Sequence, residues 1–365
     1  MTRLLEPLHF RNGLLSRNRI ALAAMTNSQS HADGVLSDEE LHWLALRSEG
    51  GFGIVATCAA HVSKNGQGWP GELGIFDDCH LPGLKRVAED TRERGALPMV
   101  QIFHGGLRAD RSVSGERPWS ASEGAPNQDG SEGARAATAA DIHGVICDFA
   151  DAAARAHAAG MAGVEIHGAH GYLLTQFLSR VENRRNDGWG GSMENRARLM
   201  REVTRAIRCR VPASFLVGVR ISPEDAGNAR GLDLDENLQL ARWLCEDGID
   251  FLHLSLWDAF RNTLKRPAEH ALTIFREVVP KDIPLFTAGK IWTREDAERV
   301  LDLGADVIAL GRAAIINPEW PLGIADPGWQ PQRPPVTAAQ LREWGLQPVF
   351  IDRMRLRENF VLEGS

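Results

Sequence analysis

The segment 284–312, PLFTAGKIWTREDAERVLDLGADVIALGR, reads as one complete strand–helix–strand unit. Pro284–Gly289 and Val307–Arg312 are short apolar runs that break off at a glycine. Residues 293–303 between them carry a helical pattern. Thr293 precedes Arg294-Glu295-Asp296, an N-cap with an acidic first turn, and Gly304 stands where a left-handed residue ends a helix. Runs that are continuously apolar suit parallel strands covered on both faces.

Working outward, the same unit recurs. Six more apolar runs are Arg19–Met25, Phe52–Cys58, Leu97–His104, Gly163–His167, Phe215–Ser222 and Phe251–Leu256. Helical patterns fill 38–49, 81–94, 139–159, 193–208, 235–247 and 268–279. Ser37 and Ser192 supply further N-caps, and Gly95, Gly160 and Gly248 further helix ends. Eight βα units in series predict the α/β class and a single TIM (β/α)8 barrel. An open doubly wound sheet is the alternative, but it calls for an early G-x-G-x-x-G that is absent. Two segments fall outside the repeat. Residues 4–18 read as a β-hairpin around Asn12-Gly13, a type I′ turn pattern, placed as a cap on the barrel floor. Residues 105–138 form a long loop after strand 3, of a length that implies a function such as a lid. The domain division expected is 1–325 for the barrel with its hairpin and 326–365 for a C-terminal extension packed on or near it.

Composition narrows the function. The 365 residues carry a net charge of -7 and no long basic run, which argues against nucleic acid and membrane surfaces as partners. The N-terminal MTRLLEPLHFRNG lacks an apolar core and a small-residue cleavage site, so no signal peptide is expected. Five scattered cysteines without a C-x-x-C pair argue against disulfides, zinc and iron–sulfur clusters and for a reduced, cytoplasmic protein.

The active site of such a barrel lies at the C-terminal ends of the strands. Polar residues end or interrupt the apolar runs at Thr26, Gln101, His104, His167, Arg220, Gly289-Lys290 and Gly311-Arg312. Glycines after strands seven and eight, beside Arg312, suit a phosphate, although ordinary turns with a surface arginine would look the same. Arg220 in a buried strand needs an anion: an internal partner such as Glu165, or a ligand. Gln101 offers a donor and an acceptor to the imide edge of a pyrimidine-like ring. The segment Val164–Tyr172 is the most informative. His167 and His170, flanked by glycines, can grip one carbonyl oxygen, and Tyr172, the only tyrosine, can donate a proton. A metal pair completed by His104 and His253 is the competing reading.

The stretches GVEIHGAHGYLLTQFLS (163–179) and NRRNDGWGGSMENR (183–196) resemble the Old Yellow Enzyme family. The likeness extends through NRIALAAMT (18–26), QIFHGG (101–106), RPWSA (117–121), VGVRIS (217–222) and ALGR (309–312), as far as about Pro321. It implies an FMN-dependent ene-reductase on a TIM barrel. NADH or NADPH would donate hydride, and an α,β-unsaturated carbonyl compound would be reduced at its C=C bond by a ping-pong mechanism. Ala24, Met25 and Thr26 would line the flavin, and Ala59 would meet it through its backbone. Gln101 and Arg220 would hold the pyrimidine edge, and Gly289, Lys290, Gly311 and Arg312 the phosphate. His167 and His170 would bind the substrate carbonyl, with Tyr172 as proton donor and no metal ligated.

The chain departs from the family pattern at Ala24, where Pro is usual, and at Trp189, where Tyr is usual. Cys58, Thr26, Ser28 and Gly106-Leu107-Arg108 depart as well. Substrate specificity is therefore not inherited. Three alternatives stay open: a flavin-dependent amine or alcohol dehydrogenase, a metal-dependent hydrolase using His167 and His170, and a flavin-binding protein without activity. Oligomeric state is open, a homo-oligomer included. Arg353, Arg355 and Arg357 read either as a solvated helix or as a tail reaching a neighbouring subunit's site.

Overall fold

A computed structural model describes residues 2–125 and 133–362. Eight parallel strands close into a barrel, each beside the next in chain order and the last beside the first. They are β3 (Ile20–Leu22), β4 (Ile54–His61), β5 (Leu97–Phe103), β8 (Gly163–Gly168), β9 (Leu216–Ile221), β10 (Phe251–Ser255), β11 (Leu285–Ala288) and β12 (Val307–Leu310). Helices wrap the outside: α1 (Asp38–Glu49), α2 (Leu81–Glu93), α4 (Ala139–Ala158), α6 (Met193–Arg210), α7 (Leu234–Glu246), α8 (Ala271–Val278) and α9 (Arg294–Asp302). The expected caps form. Ser37, Ser192 and Thr293 accept from the N–H groups of Glu40, Asn195 and Asp296. Gly95, Gly160, Gly248 and Gly304 all adopt positive φ. No described helix is long and apolar enough to cross a membrane.

Strands β1 (Leu8–His9) and β2 (Leu15–Ser16) form the N-terminal hairpin. Its Leu8 and Phe10 pack with Ile54, Leu97, Leu216, Phe251, Phe286 and Val307 at the barrel floor. The turn is not type I′. The Gly13 N–H donates to the Phe10 carbonyl, so Arg11 and Asn12 are central, and only Gly13 takes positive φ. Asn12 instead turns its Oδ1 to the Leu14 N–H and its amide to the Ser214 carbonyl, which fastens the hairpin to the barrel.

Inside the floor, Gly218 is a packing requirement. A Cβ there would lie 2.1 Å from the Phe251 ring. The first strand is shorter than its apolar run: Ala23 still donates to the Leu310 carbonyl, and Ala24 and Met25 beyond it line a cavity. The second strand runs on to His61 through an irregularity between Ala56 and Ala59. The segment after β5 is not a bare loop. It holds the short helix α3 (Arg111–Ser114) and strands β6 (Trp119–Ser120) and β7 (Arg135–Ala136), paired with each other. Its stretch 126–132 lies outside the described residues. Near the C-terminus, α12 (Ala338–Glu343) and α13 (Pro348–Arg355) bury Leu341, Phe350, Ile351 and Met354 in the main core. Phe350 meets the Trp43 ring of α1 at 5.7 Å.

Candidate active site

Inward positions at the C-terminal ends of the strands are polar. Register pairs His167 with Arg220, Arg220 with His253, and Gln101 with Glu165. Glu165 accepts from Gln101 Nε2 at 2.5 Å and from His253 Nδ1 at 2.6 Å. Burial alone would raise the Glu165 carboxyl, but His253, Arg220 and Gln101 together hold it below its ordinary value. A carboxylate only accepts, so Gln101 is oriented with its amide NH₂ toward Glu165 and its carbonyl oxygen left for a ligand's N–H. Arg220 makes no ion pair with Glu165 among the described contacts. Its Nη2 donates to Ser255 Oγ at 3.0 Å, and its buried Nε has no partner.

The β8-to-α5 turn presents the imidazoles and the phenol, where α5 is Leu173–Leu178. His170 and Gly171 both adopt positive φ, and a Cβ at Gly171 would lie 2.3 Å from the Asn228 carbonyl oxygen. A histidine held there is backbone strain of the kind found at functional sites. The rings of His167 and His170 stand 4.9 Å apart and perpendicular, and Tyr172 lies 5.0 Å from His167. His167 Nδ1 accepts the Ala169 N–H, which leaves the proton of the neutral ring on Nε2. His170 Nε2 meets Ser255 Oγ at 2.6 Å, so Ser255 joins His170 to Arg220. Burial, then His170 and Arg220, hold His167 well below the usual imidazole range, and burial and Arg220 do the same for His170. Both rings are neutral near pH 7. Burial raises the Tyr172 phenol against the Arg108 guanidinium, which sits 4.4 Å over its ring and also binds the His170 carbonyl.

These groups share a cavity. Ala24, Met25, Thr26, Ala59, Gln101, His167, His170, Tyr172, Arg220 and Arg312 border a space of about 240 Å³. Gly289, Lys290 and Gly311 border an adjoining space of about 290 Å³, which shares Ala24, Met25, His170, Arg220 and Arg312. Each residue expected to meet the flavin, its phosphate or the substrate carbonyl thus borders one of the two spaces, whereas His104 and His253 border neither. At Gly289, φ is +151° and a Cβ would lie 2.5 Å from the Leu256 carbonyl oxygen. Arg312 opens the five-residue α10 (Arg312–Ile316), whose first N–H groups have no intrahelical acceptor. Lys290 is partly engaged, with Nζ 3.1 Å from Asp258.

Sequence reasoning missed Ser255 and Trp69, and gave Arg353 and Arg357 no role in the site of their own chain. Ser255 also ends an apolar strand run, so the rule that found Arg220 applied to it. Arg353 and Arg357 carried no such signal. Arg353 and Arg357 both border the cavity of their own chain, Arg353 half-buried and Arg357 exposed, while Arg355 is exposed beside Asp352. The metal reading loses its further ligands. His104 has both ring nitrogens engaged, by Asn65 and the Gly106 N–H, and His253 borders neither cavity of His167 and His170. No cluster of three or more His, Cys, Asp or Glu residues able to hold a metal occurs among the described residues. A larger groove of about 320 Å³ beside Trp257 has Glu224 and Asp225 on its wall, and both already accept backbone N–H groups.

No carboxylate borders either cavity at the mouth, whereas Arg220, Arg312 and Arg357 border both. Arg312 and Arg357 have no ion-pair partner among the described residues. Arg220 is buried, Arg312 half-buried and Arg357 exposed, and a buried cation such as Arg220 calls for an anion. This donor set fits FMN: Gly289, Lys290, Gly311 and Arg312 would hold its phosphate, and Gln101 and the unpartnered Nε of Arg220 the pyrimidine edge of its ring.

Comparison with known proteins agrees. Residues 3–327 match the model of the NADH:flavin oxidoreductase / NADH oxidase family. The Bacillus subtilis protein named "Probable NADH-dependent flavin oxidoreductase YqiG" is 35% identical, with 88% of each chain covered. The NADH:fumarate oxidoreductase of Klebsiella pneumoniae is 33% identical over 88% of this chain, which spans only 36% of that longer protein. The solved structure of the old yellow enzyme homologue from Zymomonas mobilis superposes with a TM-score of 0.82 at 28% identity, covering 95% of this chain and 97% of that one. The chain belongs to the NADH:flavin oxidoreductase / NADH oxidase family, that of Old Yellow Enzyme, and is an FMN-dependent oxidoreductase served by NADH or NADPH.

Proposed function

We propose that the enzyme reduces the C=C bond of α,β-unsaturated carbonyl compounds at the expense of NADH or NADPH, in a ping-pong mechanism. One observation carries the reading: two neutral imidazoles and a protonated phenol meet on one wall of the ring-side cavity. Bound FMN supplies the hydride relay between nicotinamide and alkene. The chain's residues do the rest. His167, with its proton on Nε2, donates to the substrate carbonyl, and His170 is its partner there. Negative charge gathering on that oxygen is stabilised by donors already in place. Tyr172 delivers a proton to the α-carbon, and its raised pKa keeps that proton available through neutral pH. Arg220 would balance negative charge at the pyrimidine edge, and Gln101 would accept from the ring. Thr26, Ala24, Met25 and Ala59 would bound the ring, and Gly289, Lys290, Gly311 and Arg312 would hold the phosphate. A single ring-side cavity serves nicotinamide and alkene, so they bind in turn.

The shared core supports treating 326–365 as an extension of the barrel unit 1–325. Five unpaired cysteines support a cytoplasmic setting.

Tyr172→Phe tests the reading. In anaerobic stopped-flow, reoxidation by an enone should slow by about 10²–10⁴-fold, while reduction by NADH or NADPH changes less than about threefold. An equal effect on both steps, or none, refutes Tyr172 as proton donor. His167→Ala should weaken binding of a carbonyl ligand roughly tenfold in a flavin-absorbance titration. Turnover of amines or alcohols but not enones would replace the ene-reductase reading with a dehydrogenase one.

A further inference from the structure

The two cavities at the mouth share three arginines, and one arginine is left over. Arg220, Arg312 and Arg357 border both spaces, whereas Arg353 borders only the ring-side space. The FMN phosphate would take Arg312, and Arg357 is exposed, whereas the half-buried Arg353 lies off the phosphate-side space and would be left without an anion. Arg353 is half-buried on α13, with its guanidinium 5.6 Å over the Trp69 ring. Its one polar contact among the described residues is long, Nη1 to Ser28 Oγ at 3.5 Å. Trp69 stacks on Phe103, and Phe103 meets Tyr172 edge-on at 5.1 Å, so the cation stands on the proton donor's side of the cavity.

Glu72 is the carboxyl that acts on Arg353, and it does not serve as counter-ion. It is fully buried, accepts the Gly68 N–H and pairs with His61, and burial raises it well above the usual carboxylate range. A half-buried guanidinium over an aromatic face, open to a cavity with no carboxylate, is a ready anion fork.

We propose that Arg353 is the specificity residue of this site, binding a carboxylate carried by the substrate, so that the preferred substrates are enones bearing an anionic group. This deepens the ene-reductase reading and rests on it. The nicotinamide dinucleotide also brings anionic groups, its pyrophosphate among them, and the experiment separates the two sources.

The FMN-loaded enzyme is assayed with 4-oxopent-2-enoate and with its methyl ester, in wild type and in Arg353→Gln, Arg353→Ala and Arg353→Lys. Comparing the ratio of the two kcat/KM values between variant and wild type cancels the difference in their intrinsic reactivities. That ratio should fall about tenfold in the Gln and Ala variants, with ester turnover within about twofold of wild type and an intermediate ratio for Lys. Calorimetric titration with the saturated 4-oxopentanoate and its ester should show the same loss confined to the acid. An unchanged ratio, an equal loss on acid and ester, or a loss confined to NADH or NADPH binding overturns the assignment. If wild type reduces neither compound, the ene-reductase reading falls, and this one with it. Flavin absorbance equal to wild type verifies that each variant is folded and loaded.

Discussion

The floor and the mouth of the barrel are made by the same strands under opposite rules. Going up β10, the inward positions are Phe251, His253 and Ser255; along β9 they are Leu216, Gly218 and Arg220; along β5 they are Leu97, Met99 and Gln101. At the floor, Phe251 and Phe286 stack at 4.5 Å, and Phe10 of the hairpin closes over Phe286. At the mouth, about two residues further along each strand, lie a buried carboxylate network, two neutral imidazoles and a guanidinium with an unpartnered nitrogen. Apolar burial stabilises the first layer, while desolvating charge destabilises the second unless a ligand completes it. The floor and the surrounding helices therefore hold a mouth that would not hold itself.

Three measurements press on that contrast. Phe251→Ala should have the largest effect, destabilising the protein by about 3–5 kcal/mol in urea unfolding. Its FMN affinity should stay within about threefold of wild type under folding conditions, and a large loss of FMN would merge the layers. Arg220→Met should reverse the pattern, weakening FMN binding at least about thirtyfold by fluorescence titration. The unfolding free energy of the apoprotein should then move by less than about 1.5 kcal/mol. The third effect is the gentlest. Burial lowers His61 to about 4 and His104 to about 3, against an ordinary 6.5. Below pH 6.5 the unfolded chain takes up protons that the folded one refuses, so stability is full above that pH. It falls as pH drops from 6.5 toward 4 and 3, by at most about 1.4 kcal/mol per pH unit per histidine. Denaturant midpoints across pH 4–7 check it, and His104→Gln should flatten the slope.

Much of this was legible in the chain itself. Helix ends at Ser37, Thr293 and Gly304 are local chemistry, decided by neighbours within a turn. The strand-end rule found Arg220 and Gln101 because a polar group on an apolar run is conspicuous wherever it occurs. The hairpin turn was misread because Asn12 found better acceptors and donors in the folded chain than the type I′ geometry offered it. The left-handed backbone at His170 left no trace, since only the packed neighbours of Gly171 enforce that turn.

By itself, the sequence determined the period of alternation, the caps, the family and the residues that would gather at one end of the barrel. These depend on spacing along the chain. Closure of the barrel and docking of α13 decided the rest: that Gln101 spends its donor on Glu165, that Ser255 ties His170 to Arg220, and that Arg353 overlies Trp69. Such contacts join residues far apart in sequence, and a side chain's partner is chosen by which charge or ring the fold sets against it.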